Sequence, residues 1–280
     1  MNENARSRGR FGYAQGPEGP LHYRDEGSGS AFLLLHQTPR SLDEFAELQP
    51  LLARSHRVVA MDMVGFGASP PAPLPHTIEA MAAGAVGLIE DLGLRDVVVV
   101  GHHTGAAVAI EVGASRPDLV RALVLSSAPW TDAEFRLRHA DGPGVDDAIP
   151  RPDGAHLMEL WAKRAPYYPP NRHDLLDRFI RDALAPGLDP VEGHRACARY
   201  RMEERIGLVT APVLMIGAAA DPFAMPDLPR VSEALTGSAL VETVVIEGGM
   251  IPLMETHAAA VAAAIDEFLQ GVAGAGYRAE

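Results

Sequence analysis

Residues 97–106 read VVVVGHHTGA. Four consecutive valines make a short, continuous apolar run of the kind that fills a strand buried on both faces. The run stops at Gly101, and from Thr104 the small residues of TGAAVAIEVGA set the pattern of a helix packed closely on a sheet. Strand, abrupt turn and helix therefore follow within a few residues, with His102 and His103 at the turn. Outward from this point the alternation repeats. AFLLLH (31–36), HRVVAMDM (56–63), RALVLSSAPW (121–130), APVLMIG (211–217) and LVETVVIEG (240–248) read as strands. LDEFAELQPLLARS (42–55), TIEAMAAGAVGLIEDLGL (77–94) and a last amphipathic stretch from about 256 to 269 read as helices. Upstream, RFGYAQ and PLHYRDEG, separated by Gly and Pro, form an antiparallel pair at a sheet edge, after a polar arm over residues 1–9. The pattern predicts an α/β fold with a mostly parallel central sheet flanked by helices.

The alternation breaks between residues 131 and 207. This stretch is rich in Arg, Asp and Pro, holds several helical patterns and contains no strand pattern. It reads as a helical cap inserted into one core domain made of residues 1–130 and 208–280.

Composition narrows the function. The 280 residues carry a formal net charge of −13, so a phosphate backbone or an anionic membrane surface is repelled and nucleic acid is not an expected partner. No apolar run reaches the ~18 residues of a membrane span, and the N-terminal residues lack an apolar signal core. A cytoplasmic protein is expected. Cys197 is the single cysteine, which rules out an intrachain disulfide and reads as a small buried apolar residue. Lys163 is the single lysine, leaving little scope for Schiff-base chemistry.

Five local features, in order, resemble the α/β-hydrolase family over roughly residues 11–270. LLLHQTPRS is similar to its H-G-x-P turn, MDMVGFGAS to its D-x-x-G-x-G-x-S loop, and VVGHHTGA to its G-x-S-x-G nucleophile elbow. VLMIGAAADPF is similar to the strand and loop that carry the catalytic acid, and IEGGMIPLMETH to the late loop that carries the catalytic histidine. The resemblance implies an α/β-hydrolase fold with a degenerate triad. His103 stands at the nucleophile position, Met250 at the late histidine position, lining the pocket, and Asp221 at the acid position. A Ser-His-Asp mechanism at these positions is thereby excluded, because both the hydroxyl and its activating imidazole are missing.

The apex of an elbow points into the pocket, so His103 faces ligand, and histidine changes charge near neutral pH. An imidazole moved from the late loop to the elbow, with Asp221 orienting it directly or through a water, supplies a general base without a hydroxyl nucleophile. Such a pair suits direct hydrolysis, elimination or lyase chemistry, decarboxylation or cyclisation of a small, largely apolar carbonyl compound. By resemblance, the backbone N–H groups of Thr38 and Thr104 form the oxyanion hole, and Gln37 adds an amide donor or merely packs the turn. Trp161 and Tyr200 are candidate cap contacts, with Tyr167, Tyr168, His194 and Arg201 beside them, although aromatics at helical spacing more often pack a core. His36 and His102 read as structural, and Arg40 as a solvated arginine. The spacing of His36, His102, His103 and Asp221 matches no metal-binding motif, so neither metal nor cofactor is expected. The contrasting reading is a catalytically inactive, receptor-like protein that only binds its ligand. A small-molecule ligand is the expected partner under both, and a homodimer is compatible with either.

Overall fold

Among the described residues eight strands lie in one sheet, in the order β1-β2-β4-β3-β5-β6-β7-β8. They are β1 (Arg10–Gly16), β2 (Gly19–Gly27), β3 (Ala31–Leu35), β4 (Arg57–Met61), β5 (Val97–His102), β6 (Val120–Ser126), β7 (Val213–Ala218) and β8 (Val241–Ile246). The first hairpin is antiparallel, β2 joins β4 antiparallel, and every other pairing is parallel. This computed structural model describes residues 9–139 and 145–274; the polar arm expected at the N-terminus lies, apart from Gly9, outside them.

Both faces of the sheet are covered, and β5 shows why its sequence is continuously apolar. Val97 and Val99 enter one core with α1 (Ile78–Asp91) and α2 (Thr104–Ser115), whereas Val98 and Val100 enter the other. The second core is closed by the long C-terminal helix through Val261, Ile265, Phe268 and Leu269. A strand with two dry faces cannot alternate apolar with polar residues, and each valine is fully buried.

The helix expected over 42–55 forms only as a 3-10 turn, Leu42–Phe45, and one helical turn, Gln49–Leu52. Pro50 has no N–H to continue a helix from upstream, and Gln49 turns inward to donate to the carbonyls of Arg24 and Val58 at 2.9 and 2.8 Å.

Between β6 and β7 the described residues contain no strand. They hold α3 (Ala133–His139), α4 (Ala155–Arg164), α5 (His173–Ala183) and α6 (Glu192–Arg199). Helices α4 and α5 share a small core of their own, including Leu160, Tyr168, Leu176 and Phe179. Ion pairs fasten this layer to the sheet domain. Arg178 meets Asp43 and Glu47 at 2.7 Å each, and Arg205 reaches Glu111 on α2 at 2.8 Å. No helix among the described residues is long and apolar enough to cross a membrane.

Candidate active site

Strand β5 ends in a turn that only a crowded backbone can produce. His103 sits at φ 48°, ψ −113°, a region a side chain other than glycine's rarely occupies and which costs about 1–3 kcal/mol. Neighbouring groups hold it there: its N–H donates to Ser126 O at 3.0 Å, and its carbonyl accepts from Ala106 N at 2.8 Å. The helix that follows passes so close to β3 that a Cβ on Gly105 would stand 2.0 Å from the Leu35 carbonyl oxygen. Glycine at 105 is therefore a condition of the turn, and the turn places the His103 side chain in a cavity.

Asp221 approaches from the loop after β7. Its Oδ1 accepts from the backbone N–H groups of Phe223 and Ala224 at 3.0 and 3.2 Å. Its Oδ2 lies 3.0 Å from His103 Nε2, with the carboxylate fully buried and the imidazole 15% exposed. The ring nitrogen is within ion-pair range, but its N–H is not aligned on the oxygen as a hydrogen bond. Burial raises the Asp221 pKa, yet the His103 contact and the two N–H donors outweigh it and hold the group well below the usual carboxylate range. Of the alternatives left open by the sequence, a direct approach or one through a water, the structure places the two side chains in direct range. With Nε2 turned to Asp221, Nδ1 is the ring nitrogen left for a ligand.

The cavity has a volume of about 460 Å³ and is lined mainly by apolar groups, among them Pro129, Phe135, Phe223 and Ile251. Thr38 and Thr104 also line it. Thr104 opens α2, so its N–H belongs to the first-turn donors that have no partner within a helix. The two threonine hydroxyls bond to each other at 2.9 Å, which ties the early turn to the elbow. Above Thr38 stands Gly193 of α6, where a Cβ would meet Thr38 side-chain atoms at 2.5–2.7 Å.

Several expectations need correction. Gln37 borders the cavity, but its amide donates to Glu44 Oε1 at 2.5 Å and its backbone N–H to Glu44 Oε2 at 2.8 Å, so it packs the turn. Met250 is half-buried and is not among the cavity residues; Ile251 takes that place. The reason is a tether, since the Ile251 carbonyl accepts from His102 Nε2 at 2.9 Å. Tyr200 is buried in the core beside α2, where its hydroxyl donates to Glu111 at 2.9 Å, and it does not border the cavity. Trp161 packs against the small core shared by α4 and α5 and stacks on His173, also away from the cavity. Arg40 is fully buried rather than solvated, paired with Asp182 of α5 at 3.0 Å and with Glu255 at 2.6 Å. The expectation for Cys197 fits its surroundings: it is buried, and burial pushes its thiol up to about 12, which leaves no thiolate for nucleophilic attack.

His36 and His102 are held on both ring nitrogens, as structural histidines should be. His36 Nε2 accepts from Met63 N at 3.0 Å and its Nδ1 donates to Gln37 O at 2.7 Å. Reasoning from sequence missed Asp146 and Arg164, a buried pair in the cap beside His194. Nothing in the run GVDDAIP marks Asp146 as the partner of an arginine 18 residues away.

Comparison with known proteins agrees with the observed fold. Residues 30–252 match the family model described as alpha/beta hydrolase fold. The chain belongs to the alpha/beta-hydrolase fold family. Among curated relatives it is 35% identical over 216 residues to 2-hydroxy-6-oxo-2,4-heptadienoate hydrolase of Pseudomonas putida, covering 75% of this chain and 68% of the relative. It is 34% identical over 125 residues to epoxide hydrolase 2 of Siraitia grosvenorii, covering 44% of this chain and 40% of that relative. The match to the latter thus spans well under half of the relative's length. Among solved structures, an epoxide hydrolase of Vigna radiata superposes with a TM-score of 0.77 at 18% identity, covering 96% of this chain and all of that one. The enol-lactonase of Burkholderia xenovorans gives 0.74 at 20% identity, covering 92% and 100%. These two show the shared fold. The two curated relatives are named as hydrolytic enzymes.

Proposed function

We propose that this alpha/beta hydrolase is an enzyme that hydrolyses a small, largely apolar ester or related carbonyl compound by direct attack of water, with no acyl-enzyme. The observation that carries the reading is the 3.0 Å approach of His103 Nε2, on a ring that borders the cavity, to the buried Asp221 carboxylate. Asp221 orients the ring and stabilises the imidazolium that forms as Nδ1 takes a proton from water. The oxyanion that develops on the substrate is received by the N–H groups of Thr38 and Thr104. Among the reactions open to a base without a nucleophile, hydrolysis is favoured over elimination, decarboxylation and cyclisation because the Pseudomonas relative is a hydrolase.

The test is a panel of short-chain esters and lactones presented to the wild type and to His103→Asn. Turnover by the wild type that His103→Asn loses by about 10²-fold or more, with ligand binding retained, is the expected result. A serine-directed fluorophosphonate should leave the wild type unlabelled; robust labelling overturns the reading. A ligand-binding role without catalysis is the second reading. It is favoured by one observation, the misalignment of the His103 ring N–H on Asp221, and it is supported if wild type and variant bind alike and neither turns over.

A further inference from the structure

The cap closes the cavity with a second imidazole built like the first. His194 on α6 places Nε2 2.6 Å from Asp146 Oδ2, and Arg164 grips the same carboxylate through Nε and Nη2. Asp146 is fully buried, the Arg164 side chain is 5% exposed and that of His194 30%. His194, Arg164 and His103 all border the one cavity.

Two features separate this cluster from an ordinary cap-fastening ion pair. The bidentate arginine already compensates the Asp146 charge, so an ion pair would be complete without the imidazole. His194 is also the more exposed of the two cluster members that border the cavity, with Nε2 committed to Asp146 and Nδ1 left for a ligand. Burial raises the Asp146 pKa, but the Arg164 charge and the His194 hydrogen bond overcome it and hold the group below the usual carboxylate range. Asp146 thus stays an anion and fixes the ring through a hydrogen bond that the His103–Asp221 contact lacks.

We propose that His194 is the proton donor of the site, protonating the oxygen that leaves the carbonyl carbon while His103 activates the water. This step rests on the water-activation reading of His103. The bookkeeping closes within the protein. Water's oxygen bonds to the carbonyl carbon as its proton passes to His103 Nδ1. The tetrahedral intermediate then collapses, the carbon–oxygen bond to the alcohol breaks, and that oxygen takes the proton from Nδ1 of the His194 imidazolium. Acid and alcohol depart with His103 protonated and His194 neutral, and exchange with solvent returns one proton to its starting place.

The discriminating measurement is the leaving-group dependence of turnover, using the ethyl and p-nitrophenyl esters of one acyl group. Ethoxide needs a proton to leave and p-nitrophenoxide does not. His194→Asn and His194→Gln should lower ethyl ester turnover about 10²-fold or more, in kcat rather than KM, and leave the p-nitrophenyl ester within about 3-fold. Equal losses on both esters, or none, overturn the donor role while His103→Asn still abolishes both. If the wild type hydrolyses neither ester, or His103→Asn matches the wild type, the water-activation reading fails and the donor step falls with it. The half-exposed position and two different replacements guard against a folding defect, which an unchanged thermal midpoint would check.

Discussion

His102 and His103 are adjacent in sequence, their rings meet edge to face with centroids 4.7 Å apart, and they do opposite jobs. His102 is fully buried, accepts at Nδ1 from Ser126 Oγ at 3.0 Å and donates at Nε2 to the Ile251 carbonyl at 2.9 Å. Burial pushes its pKa down to about 4, so it stays neutral beside the ring that must change charge. His103, one residue on, gives one nitrogen to a carboxylate and the other to the cavity.

The elbow's strain can be measured apart from its chemistry. His103→Ala and His103→Gly both remove the imidazole, but only glycine accepts φ 48°, ψ −113° without cost. The glycine variant should be the more stable of the two by about 1 kcal/mol or more in chemical denaturation. Equal stabilities would mean that the turn is relaxed.

Asp221 sets an acid limb on stability. Its folded pKa is depressed, so its stabilisation is fully present above the unfolded value, near 3.8, and is lost as pH falls through the still lower folded value. The stability gap between wild type and Asp221→Asn should therefore be constant above about pH 5 and narrow below about pH 4. Urea midpoints from pH 3 to 8 would show it, and a gap that widens in acid would contradict the assignment.

Glu255 has the opposite sign. Burial, reinforced by the nearby Glu44 and only partly offset by Arg40, raises its pKa from 4.5 to about 7. The stability it confers when protonated is present below pH 4.5 and is lost as pH rises to about 7. Replacing Glu255 by Gln should flatten the stability profile across that window, read as unfolding midpoint against pH; an unchanged slope would assign the slope to other groups.

Arg40 pairs with both Glu255 and Asp182, and Asp182 is also paired with Arg181 at 2.9 Å. At about pH 8, above the raised Glu255 pKa, Arg40→Ala strands the buried Glu255 carboxylate, while Asp182 keeps Arg181 and Ser41, and it should cost about 3–5 kcal/mol in equilibrium unfolding. A loss below about 1 kcal/mol would mean that the cap is held elsewhere.

The fold was legible because buried parallel strands leave continuous apolar runs, as at 97–100 and 31–35, with turn residues between them. His103 and Asp221 were singled out by resemblance, since both stand after such strands at the family's nucleophile and acid positions, but whether they touch directly or through a water was left open by the sequence. Arg40 was not, since a charged residue reads as solvated unless its partners are known, and these lie 142 and 215 residues away. Tyr200 and Trp161 were misplaced for a related reason. An aromatic ring's sequence shows that it must be buried, but the packing of α2 and the cap decides against what. The broken helix at 42–55 was foreshadowed by Pro50, although the inward turn of Gln49 depends on carbonyls of β2 and β4.

The contact between Gly193 and Thr38 makes the roof of the site depend on a single hydrogen atom. Thr38 carries one of the proposed anion donors and is leashed to Thr104 at the elbow, so it has little room to yield. Any side chain at 193, even a methyl, must lift helix α6 or push the early turn, and α6 also bears His194. The distance between the two halves of the site is therefore a setting that one codon controls, and homologues with a bulkier residue there would have to hold a differently proportioned chamber.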